Sequence, residues 1–236
     1  AVKDAEVFLP RGAHAGFQAR DTGLGQEFAP AHGLQVQSAA GHLHLQPKLV
    51  TSADLKQSAQ HFSIGHGDVL QELISRIHGE LIKLGRYYEE CRGMGATLSL
   101  GWFMPGWMHF VHVGDSRIYW LPKGGKLKQI TEDHSQVGWL RREGRINERE
   151  ARNHPRKSVL SQALGAGHQY LEPQVGCLRC ESGDRFLFCT DGVIDGIWDH
   201  ALEDMLLAGN DARAFVEHAV AESGRDNASA VVVEVA

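Results

Sequence analysis

Four short acidic motifs follow one another along the carboxyl-terminal half of the chain, and each lies beside an apolar run. They are Gly114-Asp115-Ser116, Glu132-Asp133-His134, Thr190-Asp191-Gly192 and Arg225-Asp226-Asn227. A carboxylate at the point where a strand gives way to a turn can point into a cleft that several strands share. Hard cations such as Mg²⁺ and Mn²⁺ prefer carboxylate oxygens, and two such ions can clamp a phosphate and activate a bridging water. Together the motifs indicate a metal centre, whereas any one alone is also typical of an ordinary turn.

Hydrophobic spacing predicts the helices that must position these carboxylates. After Asp68, apolar residues recur three and four positions apart, which predicts a helix with one buried stripe. The stripe consists of Leu70, Leu73, Ile74, Ile77, Leu81 and Leu84. Gln71 stands where a capping-box partner of Asp68 belongs. Two further helices are predicted around 201–207 and from Asp211 to about residue 222, the second ending at Gly224.

The remaining regular structure is predicted to be antiparallel. The predicted strands are 34–37, 96–103, 107–113, 117–121, 185–190 and 228–235. Short linkers rich in Gly and Pro separate them, which favours hairpins over parallel crossovers. Strand meanders with amphipathic helices on separate faces predict an α+β fold, an antiparallel β-sandwich flanked by helices. No repeat or linker divides the chain, so we expect residues 1–236 to form a single domain.

Composition restricts the classes of protein to which the chain can belong. Its 236 residues, 42% hydrophobic and 22% charged, are sufficient for a sizeable core. A net charge of -5, with no basic run longer than Arg141-Arg142, argues against nucleic acid or an anionic membrane as partner. No stretch approaches the roughly 20 apolar residues of a membrane-spanning helix, and the chain start carries no signal pattern. We therefore expect a cytoplasmic protein with protein partners, no nucleic acid and no membrane.

The cysteines offer a different function. Cys177 and Cys180 have the C-x-x-C spacing of redox and zinc sites. No second C-x-x-C pair and no H-x3-H pair accompanies them. A redox or zinc protein therefore ranks behind a carboxylate metal centre.

The order and surroundings of the acidic motifs closely resemble those of the protein phosphatase 2C (PPM) family of metal-dependent Ser/Thr phosphatases. The resemblance covers about residues 68–236 and implies that family's α-β-β-α sandwich. The matching motifs are Gly93-Met94-Gly95-Ala96-Thr97-Leu98, His112-Val113-Gly114-Asp115-Ser116-Arg117, Ile130-Thr131-Glu132-Asp133-His134-Ser135, Glu143-Gly144-Arg145-Ile146, His154-Pro155, Leu160-Ser161-Gln162-Ala163-Leu164-Gly165, Gly183-Asp184-Arg185-Phe186-Leu187-Phe188-Cys189-Thr190-Asp191-Gly192 and Gly224-Arg225-Asp226-Asn227.

The resemblance also implies roles for single residues. Asp191 and Asp226 match the aspartates that hold the second metal of the family, and Asp133 matches one that holds a third, looser metal in bacterial members. Asp115 and Arg117 match a structural turn and are not counted as ligands. If Asp191 and Asp226 share one cation, their carboxylates must come within roughly 4–5 Å of each other, given metal–oxygen contacts of about 2.0–2.6 Å.

Upstream, the chain departs from the family pattern. The family carries Arg-x-x-Asn-(Gln/Glu)-Asp and then a strand ending in Asp-Gly-Met-Gly-Gly, whose Asp bridges both metals. Aligning 33–38 with that strand places Ala39 at the bridging position. Glu27 falls near the position of the first motif's Asp and is a candidate first-metal ligand. Arg20 is the candidate phosphate-binding residue, although its spacing differs from that of the family.

Two functions compete on this sequence. The first is a pseudophosphatase, a protein-binding or regulatory module that holds one Mg²⁺ or Mn²⁺, not two. The second is an active Mg²⁺- or Mn²⁺-dependent phosphatase acting on phosphoserine and phosphothreonine. Its substitute ligand would be Glu27 or another early acid, such as Asp4, Asp21 or Asp54. The loss of the bridging carboxylate at Ala39 favours the first. The partner is a phosphoprotein or a regulatory protein, contacted by a charged, comparatively mobile flap over 131–156.

Overall fold

Pairing of short strands builds the framework of the molecule. The computed structural model describes residues 2–8, as backbone only, and residues 66–168, 170–224 and 226–236. Its strands are β1 Val2–Phe8, β2 Gly95–Ala96, β3 Leu98–Met104, β4 Trp107–Val113, β5 Arg117–Leu121, β6 Lys128–Gln129, β7 Leu164–Gly165, β8 Gln174–Arg179, β9 Arg185–Cys189 and β10 Ala230–Val235. Its helices are α1 His66–Tyr87, α2 Gln136–Arg142, α3 Glu148–Arg152, α4 Asp191–Gly196, α5 Asp199–Leu207 and α6 Ala212–Glu222.

Two antiparallel sheets face each other. One has the order β1-β10-β9-β5-β6 and the other the order β3-β4-β8, while β2 and β7 pair separately. Alternate side chains of each strand meet between the sheets, among them Met108 and Phe110 from β4 and Phe186 from β9. Because successive side chains of a strand point to opposite faces, the intervening residues face outward and require cover.

Helices provide that cover on both outer faces. Leu202, Leu206 and Phe215 of α5 and α6 pack with Leu187 on the five-stranded sheet, and Leu70 and Ile74 of α1 pack on the three-stranded sheet. Four layers result, in the order helix, sheet, sheet, helix. The expected α+β sandwich flanked by helices is confirmed.

Several boundaries differ from those predicted. Helix α1 begins at His66, before Asp68, and its expected stripe is only partly buried, since Leu73 and Leu84 remain exposed. The strand predicted over 96–103 is divided at Thr97, where β2 turns away to pair with β7. The strand predicted at 34–37 lies outside the described residues.

The charged stretch 131–156 is less superficial than expected. It does form the short helices α2 and α3, capped by Ser135 and Asn147. However, Thr131, Asp133 and Ser135 are buried, so that its first part belongs to the wall of the cleft. Only the part from about residue 139 onward lies mainly at the surface.

A buried aspartate at the far end of the sheet offers a test of this framework. Asp184 accepts hydrogen bonds from Trp120 Nε1 at 3.1 Å, the Lys123 amide at 2.9 Å and the Glu181 amide at 3.0 Å. Asp184→Ala leaves three donors without their acceptor, and we expect the free energy of unfolding to fall by about 2–3 kcal/mol in chemical denaturation. Glu181→Ala, an exposed change, should cost less than about 0.5 kcal/mol. Equal effects of the two changes would contradict this account.

Candidate metal centre

The ends of β9 and β10 bring Asp191 and Asp226 to the same place. Cys189 pairs with Ala230 in the ladder, and beyond it the Thr190 amide donates to the Ser229 carbonyl at 3.1 Å. The Ser229 amide in turn donates to Thr190 Oγ1 at 3.0 Å. The two loops that carry the aspartates therefore leave the sheet side by side.

Gly192 allows the two loops to come this close. A Cβ at this position would collide with the backbone carbonyl of Asn227, so that a larger residue would force apart the loops that carry Asp191 and Asp226. Asp191 does not end a strand, as the sequence suggested, but begins the short helix α4. Both aspartates therefore lie beyond the paired ends of β9 and β10, on the segments that leave the sheet there.

The negative charge of Asp226 acts on Asp191. Burial raises the pKa of Asp191, and the charge of Asp226 raises it further. Asp226 itself is exposed and accepts a hydrogen bond from the Asn227 amide at 2.7 Å. Neither carboxylate forms an ion pair with any residue that the structure describes, and the nearby Lys157, which pairs with Asp195, offsets the effect on Asp191 only in part. The convergence of both carboxylates on one cation stays a prediction.

Asp115 is a third carboxylate of this cleft, and the sequence analysis did not count it among the ligands. Burial raises its pKa to about 6, and the charges of Asp191 and Asp133 raise it in the same direction. It follows Gly114, whose φ of 109° places the turn in a conformation that favours glycine. Asp115 and Asp191 line the same small cavity, which places the Asp115 carboxylate in the site. A Gly-Asp-Ser turn in sequence carries no signal of this proximity.

Asp133 has a different environment. Both of its carboxylate oxygens accept hydrogen bonds from Arg117, at 2.8 Å from Nε and 2.7 Å from Nη2, and Gln129 donates to the same carboxylate at 3.1 Å. Tyr119 accepts the remaining guanidinium contact at 2.9 Å. This bidentate pair is buried, so Asp133 already has a full charge partner. Its role as a metal ligand stays a prediction.

The cleft between these groups is small. A cavity of about 60 Å³ is lined by the acids Asp115, Asp133, Glu148, Asp191 and Asp195 and by the bases Arg117, Arg141, Arg152 and Lys157. Behind it lies a larger cavity of about 600 Å³. The Arg117–Asp133 pair and Arg141 line both cavities. The ion pair therefore forms the wall between them.

The donor set fits one hard cation. Mg²⁺ is usually held by one or two carboxylates, keeps several waters and demands oxygen ligands, and Asp191 with Asp226 supplies two carboxylates without a basic partner. Across residues 66–168, 170–224 and 226–236 no group of three or more His, Cys, Asp or Glu side chains is arranged to hold a metal. Asp191 and Asp226 are therefore candidate ligands of one cation, and this site stays a prediction. Arg20, Glu27 and Ala39 lie outside the described residues.

The C-x-x-C pair is not arranged as a metal or redox site. Cys177 on β8 is exposed and Cys180 is buried, and both are free thiols. An odd separation along an extended strand places two side chains on opposite faces. Burial raises the pKa of Cys180 to about 11, which disfavours the reactive thiolate. Within the described part of the chain, the geometry therefore argues against a redox or zinc function.

Comparison with known proteins agrees with this geometry. The sequence model of the family described as protein phosphatase 2C matches residues 36–232. Serine/threonine protein phosphatase PstP of Mycobacterium tuberculosis is 35% identical over 175 residues, 72% of this chain and 34% of the relative. Serine/threonine phosphatase stp of Listeria monocytogenes is 32% identical over 169 residues, 70% of this chain and 66% of the relative. The chain thus spans about a third of the length of the mycobacterial relative.

Solved structures show the same fold. The catalytic domain of PstP in complex with two manganese ions superposes with a TM-score of 0.60 at 30% identity, covering 77% of this chain and 79% of that chain. Stp1 from Staphylococcus aureus gives a TM-score of 0.70 over 98% of this chain and 94% of its own, at 20% identity; a likeness at this identity shows the fold alone.

None of the helices in the described residues has the length and apolar character needed to cross a membrane.

A buried histidine behind the Asp115 turn gives the metal-free protein a measurable acid response. Burial lowers the pKa of His112 to about 4 from 6.5, and the charge of His134 lowers it further. As the pH falls below 6.5, His112 therefore becomes protonated in the unfolded chain, whereas in the folded protein it stays neutral until about pH 4. We expect the free energy of unfolding to fall across this window by up to about 3 kcal/mol more than in His112→Gln.

The measurement is denaturant unfolding at several pH values, taken as the difference between unmodified protein and variant. His200→Gln, at an exposed histidine, is the control and should leave the pH profile unchanged. A difference between unmodified protein and His112→Gln that stays flat from pH 6.5 to 4 would show that His112 titrates alike in both states.

Proposed function

This chain belongs to the protein phosphatase 2C family, and we propose that it is a single family domain whose hydrolytic activity is impaired. It binds one Mg²⁺ or Mn²⁺ and acts by binding a phosphoprotein or regulatory protein. The observation that carries the proposal is the contrast between two halves of the site. Asp191 and Asp226 lie on loops that leave the sheet side by side, whereas the alignment of residues 33–38 with the family strand places Ala39 at the position of the metal-bridging aspartate.

The retained half is suited to hold a cation. Asp191 and Asp226 would be its protein ligands, and the Gly192 contact with Asn227 fixes their loops. A bound cation would neutralise the charge of these carboxylates and attract a phosphate oxygen. Asp115 lines the same cleft and adds negative charge, and Lys157, at its edge, is held by Asp195.

The missing half explains why hydrolysis should be slow. Alanine has no oxygen to offer a metal, and the loss of groups that merely orient ligands already lowers metal affinity by about 10–100-fold. Losing a ligand shared by two metals should cost more. Without a second cation the site lacks the bridging water that attacks a phosphate monoester at neutral pH. The altered motif around Arg20 and Glu27 removes substrate-charge neutralisation from the same site.

An active phosphatase is the second candidate, and the relatives favour it. The names of the matching proteins are those of serine/threonine phosphatases, and one matching structure holds two manganese ions. For this chain to hold a second ion, an acid from its first 65 residues must replace the bridging carboxylate. Glu27 is one candidate, and the other acids of this region include Asp4, Asp21 and Asp54.

The surface beside the cleft is suited to an anionic protein partner. Arg145, Arg149 and Arg156 are exposed on and around α3, and the Arg145 guanidinium lies 4.7 Å from the centre of the exposed Trp139 ring. In a chain of net charge -5, this is a local concentration of positive charge. A phosphoprotein or an acidic regulatory segment would complement it.

Metal stoichiometry tests the proposed site. We expect one Mn²⁺ per chain in calorimetric titration, with at least about tenfold weaker binding in Asp191→Ala and in Asp226→Ala, since first ligands matter more than the groups around them. Asp204→Ala is the control, because Asp204 is exposed on α5 and lines neither cavity. It should change the affinity by less than about threefold. Two ions per chain would instead support the active enzyme.

Hydrolysis is tested with p-nitrophenyl phosphate and a phosphoserine peptide in the presence of Mn²⁺. We expect turnover no greater than that of Asp191→Ala, and no recovery in Ala39→Asp alone, because groups that act as a unit do not contribute additively. Metal-dependent turnover that Asp191→Ala abolishes would establish the active phosphatase. Turnover that survives Asp191→Ala would reveal a contaminating enzyme.

A further inference from the structure

Polar side chains lie buried directly behind the Gly114-Asp115-Ser116 turn. Ser99 Oγ is 2.9 Å from His112 Nδ1 and 2.8 Å from Ser116 Oγ. His112 Nε2 is 3.0 Å from the Gly114 carbonyl oxygen. His112 is fully buried, and Ser116 is nearly so. Because buried polar groups are kept only where they find partners, these contacts act as one set.

The directions of these hydrogen bonds follow from the chemistry of the groups. The Gly114 carbonyl can only accept, so His112 Nε2 carries the proton and donates it. A neutral imidazole then accepts at Nδ1, and burial keeps the ring neutral by lowering the pKa of His112 to about 4. Because Nδ1 can only accept, the Ser99 hydroxyl donates to it, and the same hydroxyl makes a second, longer contact of 3.2 Å with the Ser116 carbonyl oxygen. The Ser99 oxygen accepts from the Ser116 hydroxyl. The chain of donors runs from Ser116 through Ser99 and His112 to Gly114.

This hydrogen-bond chain holds both sequence neighbours of Asp115. Gly114 is bound at its carbonyl and Ser116 at its hydroxyl, while Asp115 between them points into the cleft. The Gly114 carbonyl also accepts from the His134 amide at 2.7 Å. Asp115 and Asp191 carry like charges, which repel each other. A turn held by the His134 amide alone could rotate and carry Asp115 away from Asp191.

We propose that His112 and Ser99 are positioning residues that hold the Asp115 carboxylate against Asp191 in the cation-binding cleft. The inference rests on the proposed cation site, although the hydrogen-bond chain itself requires no metal. If His112 served only as packing in the core, an apolar side chain of similar size would replace it without effect on the turn. If it positions Asp115, only a side chain that both donates and accepts can replace it.

Four variants separate these roles. His112→Leu keeps the bulk and removes both hydrogen bonds, whereas His112→Gln keeps one donor and one acceptor and should restore the turn. Ser99→Ala removes the hydroxyl that donates to Nδ1 and serves in place of His112→Leu if that variant does not fold. Val111→Ala is the control, since Val111 is fully buried on the same strand but faces α1.

The first measurement uses metal-free protein and hydrogen exchange by NMR. The His134 amide reports on the turn, and the amide of Leu187 in the sheet reports on the core. We expect the ratio of the two exchange rates to rise at least tenfold in His112→Leu or Ser99→Ala, and to stay within about threefold of the unmodified value in His112→Gln and Val111→Ala. Long-range ¹H–¹⁵N spectra should show His112 protonated at Nε2. An unchanged ratio in His112→Leu, or a proton at Nδ1, would overturn the proposal.

The second measurement is the Mn²⁺ affinity of the same variants. Losses of groups that orient metal ligands cost about 10–100-fold in affinity, so we expect about a tenfold loss in His112→Leu and recovery in His112→Gln. A faster-exchanging turn with unchanged Mn²⁺ affinity would refute the positioning role while leaving the cation site intact. If the unmodified protein binds no Mn²⁺, the proposed function fails. The ratio of the two exchange rates then decides by itself whether the hydrogen-bond chain holds the turn.

Discussion

Repulsion between the carboxylates of Asp191 and Asp226 is the constraint around which the cleft is arranged. The pairing of β9 with β10 fixes the positions from which both loops start, and the absence of a side chain at Gly192 allows the loops to come close to each other. The sandwich therefore keeps two negative charges near each other at a cost in free energy. The apolar layers on both faces of the sheet offset that cost, and a bound cation would relieve it. A fold can maintain such a site only if its core is stable without it.

The partners of each acid separate structural carboxylates from functional ones. Asp184 accepts three hydrogen bonds, Asp211 caps α6 by accepting from the Ala214 amide, and Asp133 is paired with Arg117. Each has donors that match its acceptors, which is the usual state of buried polar groups. Asp191 and Asp226 differ, because neither has an ion-pair partner among the described residues. A carboxylate such as Asp191, whose pKa is raised by burial and by the charge of Asp226, is typical of functional sites.

Sequence predicted those parts of the molecule that local chemistry determines. The helix cap at Asp211 and the hairpin of β3 and β4 both depend on short motifs. The convergence of Asp191 with Asp226, which the resemblance carried by such motifs implies, stays a prediction. Contacts between distant segments were harder to predict. The wall formed by Arg117 and Asp133 joins two strand ends, and the closeness of Asp115 to Asp191 arises only when β5 pairs with β9. A Gly-Asp-Ser turn has the same residues whether its aspartate faces solvent or a second carboxylate.

The Arg117–Asp133 pair limits where a further cation could bind. Its guanidinium is buried and uses its contacts on Asp133 and Tyr119, so a cation that took Asp133 as a ligand would leave this charge uncompensated. Removing one partner of a buried ion pair commonly costs about 3–5 kcal/mol, which a weakly held ion would have to exceed. Asp115 has no such partner, and its raised pKa shows that it already responds to the charge of Asp191. The balance of charge in the cleft therefore favours a cation beside Asp191, while Asp133 keeps its bond to Arg117 and separates the two cavities.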